Sequence, residues 1–137
     1  MIALDTNVLI VLTWACDRSD PKRQQTAIDL VTASPEGILL WQVACEFIAA
    51  SRKLSAQGFT AADAWSRLSE FLALLPLVLP TPAVLQGAQS LHVIHRVSFW
   101  DALIHAACIE AGVEILYSED LPGLATPGGL QVVNPFI

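Results

Sequence analysis

The 137-residue sequence has few cysteines, and their placement limits the kind of protein it can encode. The three cysteines, Cys16, Cys45 and Cys108, lie far apart and include no C-x-x-C pair. An odd number of scattered cysteines argues against a disulfide framework and against a zinc site, and it favours a reducing compartment. We therefore expect a protein of the cytoplasm.

A hydrophobic run long enough to cross a membrane is also missing. The most apolar stretches, FLALLPLVLP and VLIVLTWA, are shorter than the roughly 20 residues of a spanning helix, and prolines interrupt the first. The N-terminus has no basic region and reaches Asp5 almost at once, unlike a secretory signal. We expect neither a membrane span nor a cleaved leader.

Basic residues are scarce, with 7 Lys and Arg against 13 Asp and Glu and a formal net charge of −6. This balance argues against nonspecific nucleic-acid binding through a basic surface. A cluster of acids that holds divalent cations is the exception, because it presents positive charge to a phosphate once it is loaded. The charge therefore does not exclude a metal-dependent enzyme that acts on nucleic acid.

Hydrophobic residues are abundant, at 54% of the sequence against 15% charged residues. The length fits one domain spanning residues 1–137, because single cores commonly hold about 100–200 residues. The apolar surplus can fill a sheet that is buried on both faces, or it can form a patch that a partner covers. Both interpretations stay open at this point.

Short apolar strands alternate with helical patterns along the chain. Strands are predicted at MIAL, GILLW, LVL, EILYS and LQVVN, whereas VLIVLTWA fits either a helix or an extended run. Helices are predicted from Pro21 to near Ser34, from Val43 through about Leu54, from Thr60 through Leu75, from Pro82 to about His95, and from Ser98 to Gly112. Two capping boxes support the helix starts, Thr60 with Asp63 and Ser98 with Asp101. The alternation predicts an α/β domain with a mostly parallel sheet and helices on both faces.

Acidic residues follow two of the predicted strands. Asp5 comes directly after the first strand, and Asp120 comes two residues past Ser118, after EILY. Asp101 lies in the first turn of a helix that should begin near the same edge. Ligands of parallel sheets bind at the carboxyl ends of the strands, although each acid taken singly is also explained as a helix cap or a turn residue.

Glu46 is harder to explain as a structural residue. On a helical wheel it falls beside Phe47, Ala50 and Leu54, and no basic residue lies within one turn of it. An ionised carboxylate on an apolar face is costly unless it is paired or coordinated, and like charges held together raise their pKa values or bind cations. Oxygen ligands of this kind select Mg²⁺ or Mn²⁺, which suits metal-assisted phosphoryl transfer.

Other candidate residues carry weaker signals. The histidines have no zinc-binding spacing: His92, His95 and His105. His105 follows Asp101 by one helical turn and so could approach the cleft, but packing is the commoner role. The tryptophans are interpreted as core or interface residues rather than as base-stacking surfaces: Trp41, Trp65 and Trp100. Arg52 and Lys53 could lie at the cleft mouth, although solvated helix charge is the simpler interpretation.

Four segments, taken in order, resemble the PIN-domain family and, within it, the VapC-type ribonuclease toxins of bacterial toxin–antitoxin pairs. They are IALDTNVLI, the segment VACEFIAA with Glu46, the block SFWDALIHAA around Asp101, and the tail YSEDLPGL with LQVVNPFI. The resemblance runs from residue 2 to residue 137. It implies a three-layer α/β/α sandwich around a mostly parallel sheet.

The resemblance also implies a site and an activity. Acids at four positions would hold Mg²⁺ or Mn²⁺: Asp5, Glu46, Asp101 and Asp120. Thr6, Asn7 and Ser118 match supporting polar positions, and the S-x-D spacing favours Asp120 over Glu119 as the fourth acid. The implied reaction is endonucleolytic cleavage of RNA by a metal-activated water, with a cognate antitoxin blocking the site and a homodimer as the common assembly.

Two alternatives stay open from the sequence. One is a PIN-like nuclease that acts in RNA processing, or on DNA, without an antitoxin. The other is a catalytically silent interaction module, which the complete acid set argues against because such a module gains nothing from four mutually repelling carboxylates. A phosphatase of the aspartyl-phosphate type is disfavoured because D-T-N lacks the second Asp of a D-x-D motif.

Overall fold

A computed structural model describes residues 1–13, 20–120 and 128–137. In these residues five strands form one parallel sheet in the order β3-β2-β1-β4-β5. The strands are β1 (Ile2–Leu4), β2 (Gly37–Leu40), β3 (Leu77–Val78), β4 (Ile115–Tyr117) and β5 (Gln131–Val133). Each predicted strand is present, so the α/β prediction with a parallel sheet is confirmed.

Six α-helices connect and flank these strands within the described ranges. They are α1 (Thr6–Val11), α2 (Pro21–Thr32), α3 (Trp41–Ala50), α4 (Ala61–Leu74), α5 (Pro82–Val93) and α6 (Phe99–Ala111), and a 3₁₀ helix covers Ser51–Gln57. No helix of the described residues combines the length and apolar character that crossing a lipid bilayer needs.

The core lies on the central strands and the helices packed against them. All four residues of β2 are buried, and Ala3 and Leu4 of β1 are fully inaccessible to solvent. Strands covered on both faces read as continuous apolar runs, which explains why MIAL and GILL show no alternation. Phe47 of α3 meets Phe71 of α4 edge to face, with ring centroids 5.3 Å apart.

Local capping signals place several helix ends where the sequence predicts them. Thr60 Oγ1 accepts from the Asp63 backbone N–H at 3.1 Å, and the Asp63 carboxylate accepts from the Thr60 N–H at 2.9 Å. Pro21 and Pro82 begin α2 and α5, where a missing N–H costs nothing. Gly112 ends α6 with φ of 78°, a left-handed conformation that glycine adopts without steric penalty.

Three helix details differ from the sequence prediction. Trp41 is the first residue of α3 rather than the last of β2, because the chain enters the helix directly after Leu40. The α-helical geometry ends at Ala50 instead of about Leu54, and the chain tightens into 3₁₀ geometry up to Gly58. The prediction of a capping box at Ser98 is wrong, since Ser98 Oγ donates to the Asp101 carboxylate and makes no hydrogen bond to the backbone of the helix.

The tryptophans of the described chain are not core residues. Trp41 is 48% exposed, Trp65 is 59% exposed and Trp100 is 63% exposed. Of the two roles predicted for them, core or interface, the core role is therefore wrong. Predictions about Cys16, and about most of the Gly/Pro-rich segment 121–129, lie outside the described residues.

Candidate active site

The sheet register places Asp5 and Ser118 side by side. Leu4 of β1 lies opposite Tyr117 of β4. The residues that follow them, Asp5 and Ser118, therefore lie at the same edge of the sheet. Ser118 Oγ donates to Asp5 Oδ2 at 2.8 Å, and the Thr6 backbone N–H donates to Asp5 Oδ1 at 2.7 Å, which caps α1. Asp5 is 7% exposed and Ser118 is fully buried. The carboxylate therefore stands on a rigid platform at the end of two central strands.

The environment of Asp5 acts on its ionisation in both directions. Burial raises the pKa of the Asp5 carboxyl above its ordinary value, and the negative charges of Glu46 and Asp101 raise it further. The hydrogen bonds from Ser118 and Thr6 lower the pKa and only partly offset this. A cation beside Asp5 would relieve both the desolvation and the repulsion.

Glu46 has two neutral donors instead of the basic partner that the sequence lacks. Thr6 Oγ1 donates to Glu46 Oε2 at 2.9 Å, and Gln42 Nε2 donates to Oε1 at 2.9 Å. Gln42 Nε2 also lies 3.2 Å from the Trp100 carbonyl oxygen, which connects α3 to α6. Sequence reasoning missed Gln42, although its spacing of four residues from Glu46 on one helix was the available signal.

Asn7 connects the ends of α1 and β4. Its Nδ2 donates to Asp120 Oδ2 and to Ser118 Oγ, each at 3.2 Å, and its Oδ1 accepts from the Glu119 backbone N–H at 3.1 Å. The adjacent acids Glu119 and Asp120 therefore have different side-chain partners. Asp120 is held beside Asn7, whereas Glu119 pairs with Arg23 of α2 at 2.6 Å.

One cavity of about 500 Å³ collects the four predicted acids. Its lining includes Asp5, Thr6 and Asn7 from the β1–α1 turn, Glu46 from α3, Asp101 from α6, and Glu119 and Asp120 after β4. Two cations also line it, Arg23 and Lys53, whereas Arg52 lines a different groove. Sequence reasoning missed Arg23.

Comparison with known sequences fits this arrangement. The sequence profile described as PIN domain matches residues 2–121, which is most of the chain. The chain belongs to the PIN domain family. The resemblance drawn from the four sequence segments is thereby confirmed at the level of the family. A comparison with curated proteins gave no match.

Two solved structures share the fold of this PIN domain. A toxin–antitoxin complex from Klebsiella pneumoniae aligns with a TM-score of 0.70 at 19% identity, covering 99% of this chain and 98% of that chain. The crystal structure of Mycobacterium tuberculosis VapC20, a sarcin–ricin loop cleaving toxin, aligns with a TM-score of 0.68 at 21% identity, covering 88% and 90%. At such identities the likeness shows the fold alone.

The donor chemistry of the PIN domain cavity fits a hard divalent cation. Its acids offer only oxygen ligands, and Arg23, one of its two cations, is already paired with Glu119. Across residues 1–13, 20–120 and 128–137, no three His, Cys, Asp or Glu side chains stand in a metal-chelating arrangement. Each of Glu46, Asp101 and Asp120 faces its own hydroxyl or amide donor instead. To bind a metal together, these acids, which already line one cavity, would have to rotate their side chains toward it.

Two buried titratable groups lie near the acids but do not line the cavity. Burial raises the pKa of the Cys108 thiol to about 12, so this cysteine is a protonated thiol at neutral pH and not a nucleophile. His105 is 1% exposed, and neither ring nitrogen has a hydrogen-bond partner in the described structure. Of the two interpretations offered by the sequence, His105 follows the packed one.

Proposed function

We propose that this PIN domain is an endoribonuclease that uses Mg²⁺ or Mn²⁺ and acts as the toxin of a toxin–antitoxin pair. The observation that carries the proposal is the single cavity lined by Asp5, Glu46, Asp101 and Asp120 at the carboxyl edge of the sheet. The fold likeness to a toxin–antitoxin complex and to a sarcin–ricin loop cleaving toxin supports the substrate class and the partner.

The residues of the cavity divide into ligands and residues that orient them. The ligands proposed for the metal are Asp5, Asp101, Asp120 and Glu46. Ser118 and the Thr6 N–H fix the two oxygens of Asp5, while the Thr6 hydroxyl and Gln42 orient Glu46. Asn7 holds Asp120 near the start of α1. A divalent ion held by these residues would lower the pKa of a bound water and would stabilise charge on the phosphate.

Cation binding in the acidic cavity would allow an acidic protein to act on RNA. Without a cation, carboxylates at this edge repel a phosphodiester. Bound cations would offset this negative charge. The scarcity of basic residues then limits binding elsewhere on the surface. This combination suits cleavage of a small structured RNA better than movement along a long strand.

A cognate antitoxin and a second copy of the chain are the proposed protein partners. The antitoxin would block the cavity until it is removed, and the exposed tryptophans supply apolar surface for association. The scattered cysteines agree with action in the cytoplasm. A gene for a small DNA-binding protein beside this gene, whose product co-purifies with it, would support the antitoxin.

Cleavage of a mixed RNA pool by the purified protein tests the activity. We expect cleavage with Mg²⁺ or Mn²⁺, none with EDTA, and a loss of at least about a hundredfold in Asp5→Asn, since a ligand is removed without a change of shape. Asp29→Asn is the matched control, because Asp29 is an exposed acid on α2 outside the cavity. Equal cleavage by wild type and Asp5→Asn would contradict the assignment.

A further inference from the structure

Arg23 is a basic residue in the lining of the acidic cavity. It lies in the first turn of α2 and lines the cavity together with the four acids. Its Nη2 lies 2.6 Å from Glu119 Oε1, and its guanidinium carbon lies 4.6 Å from the centre of the Phe136 ring. The C-terminal segment and the end of β4 therefore hold a cation beside the proposed metal ligands.

The ring of Phe136 fixes the guanidinium in place. Phe136 is partly buried and packs against the main apolar core, and its backbone N–H donates to Asn134 Oδ1 at 2.9 Å. A guanidinium that is stacked on a fixed ring loses little additional freedom when it binds an anion. Arg23 is thus already oriented before any ligand arrives.

The ion pair with Glu119 leaves Arg23 able to bind a second anion. The contact is made through Nη2, and a guanidinium has five N–H donors. The side chains are 35% and 28% exposed, and ion pairs this accessible to water contribute little to stability. A phosphate, which Arg binds in the same planar geometry as a carboxylate, can therefore take the place of Glu119.

The negative charge of the cavity means that binding of an RNA phosphate requires a cationic side chain. Five carboxylates line it, those of Asp5, Glu46, Asp101, Glu119 and Asp120, against the two cations Arg23 and Lys53. A divalent metal neutralises part of this charge, but the phosphates flanking the cleaved bond also need positive partners.

We propose that Arg23 binds a phosphate of the RNA strand next to the acidic cluster, and that Glu119 is its counterion while no RNA is bound. The inference rests on the proposed function, since it identifies a substrate-binding residue of the same site. It also assigns the two adjacent acids different roles: Glu119 neutralises Arg23, and Asp120 would be a metal ligand. Arg23 is a binding residue here, and Glu119 is a positioning residue that competes with the substrate.

Opposite effects of two variants distinguish phosphate binding from a structural ion pair. Arg23→Gln and Glu119→Gln both break the same salt bridge, so a purely structural pair predicts the same change in each. If Arg23 binds phosphate, Arg23→Gln weakens RNA binding, whereas Glu119→Gln strengthens it by releasing Arg23 and removing a repelling charge.

The experiment measures binding of a short fluorescent single-stranded RNA pool to the full chain with EDTA present. Asp5→Asn is the parent protein, because we expect its cleavage to be strongly reduced, and EDTA removes any effect on metal coordination. We expect Arg23→Gln to weaken binding about tenfold, with a salt slope reduced by about 0.7. We expect Glu119→Gln to bind several-fold more tightly than the parent.

Lys22→Gln is the matched control. Lys22 is the exposed neighbour of Arg23 on α2, it does not line the cavity, and its loss changes the net charge by the same amount. We expect it to weaken binding by about twofold or less. Thermal unfolding of each variant checks that the fold is retained.

Four outcomes would overturn the inference. Equal weakening by Arg23→Gln and Lys22→Gln would mean that only net charge matters. Weakening by both Arg23→Gln and Glu119→Gln would identify the pair as structural. Failure of the parent to bind RNA in EDTA would overturn the inference, which requires Arg23 to hold a phosphate without a metal, whereas the proposed function is tested separately by metal-dependent cleavage by the wild type. An unchanged KM for RNA in a cleaving Arg23→Gln enzyme would also overturn the inference alone.

Discussion

At the scale of single residues, the buried polar groups near the sheet edge differ in how they are satisfied. Asp5 receives hydrogen bonds from Ser118 and Thr6, and Ser118 is shared with Asn7. His105, one turn beyond Asp101, is as deeply buried but has no hydrogen-bond partner within the described chain. The satisfied group belongs to the proposed site, whereas the unsatisfied one costs stability because a polar ring is desolvated without compensation.

The burial of His105 predicts a stability that depends on pH. Burial lowers the pKa of its imidazole below the ordinary value of 6.5, although the nearby Asp101 charge raises it. As the pH falls through 6.5, the unfolded chain therefore binds a proton here before the folded chain does. We expect the free energy of unfolding to fall over this range, and the part due to residue 105 to vanish in His105→Leu.

Denaturant unfolding in EDTA at a series of pH values measures this effect. His95→Gln, which changes an exposed histidine, is the control and should keep the wild-type dependence because His105 is still present. A His105→Leu protein whose stability follows pH as steeply as wild type in this range would contradict the assignment.

At the scale of elements, local sequence signals account for most helix starts and ends. Thr60 and Asp63 make both bonds of the capping box at α4, and Gly112 ends α6 as its conformational freedom allows. The failures have long-range causes. Trp41 continues the apolar run of β2, so its place at the start of α3 depends on the sheet ending at Leu40. The Ser98–Asp101 spacing fits a cap, but the carboxylate lies at the cavity, where it accepts from the serine hydroxyl instead.

The capping box of α4 predicts a specific loss of stability. Thr60→Ala removes the acceptor for the Asp63 N–H, and we expect the free energy of unfolding to fall by about 1 kcal/mol. Thr60→Ser keeps the hydroxyl and should lose much less. Urea unfolding of the three proteins measures the difference, and equal losses in the Ala and Ser variants would show that the hydroxyl is not what stabilises the helix.

At the scale of the whole molecule, strand order determines which acids meet, and this part of the site could be anticipated. Asp5 and Asp120 follow neighbouring parallel strands, so the strand-end rule predicts that they lie at one edge. Arg23 could not be anticipated in this way. Its side chain meets Glu119, just after β4, and the ring of Phe136, and no local spacing encodes those contacts.

The exposed tryptophans predict self-association. Trp41 and Trp100 line an apolar groove of about 600 Å³, and Trp41 also joins Trp65 in lining a second groove of about 380 Å³. Burying a tryptophan at the centre of an interface typically stabilises a complex by about 2 kcal/mol or more. We therefore expect a homodimer across this face, and a dimer weakened at least about tenfold in Trp41→Ser.

Sedimentation of the purified chain measures the assembly. Leu74→Ser is the matched control, since Leu74 is 68% exposed but lines neither groove. It should dimerise like wild type. A monomeric wild type, or a Trp41→Ser protein that dimerises as tightly as wild type, would contradict the prediction.

The central claim is that the acidic cavity binds a divalent metal through Asp5, and calorimetric titration of Mn²⁺ into the metal-free protein tests it most directly. We expect saturable binding by wild type and by the control Asp29→Asn, and a loss of affinity of about 10- to 100-fold or more in Asp5→Asn, the size of effect seen even when an outer partner of a ligand is removed. No binding by wild type, or equal binding by wild type and Asp5→Asn, would contradict the claim.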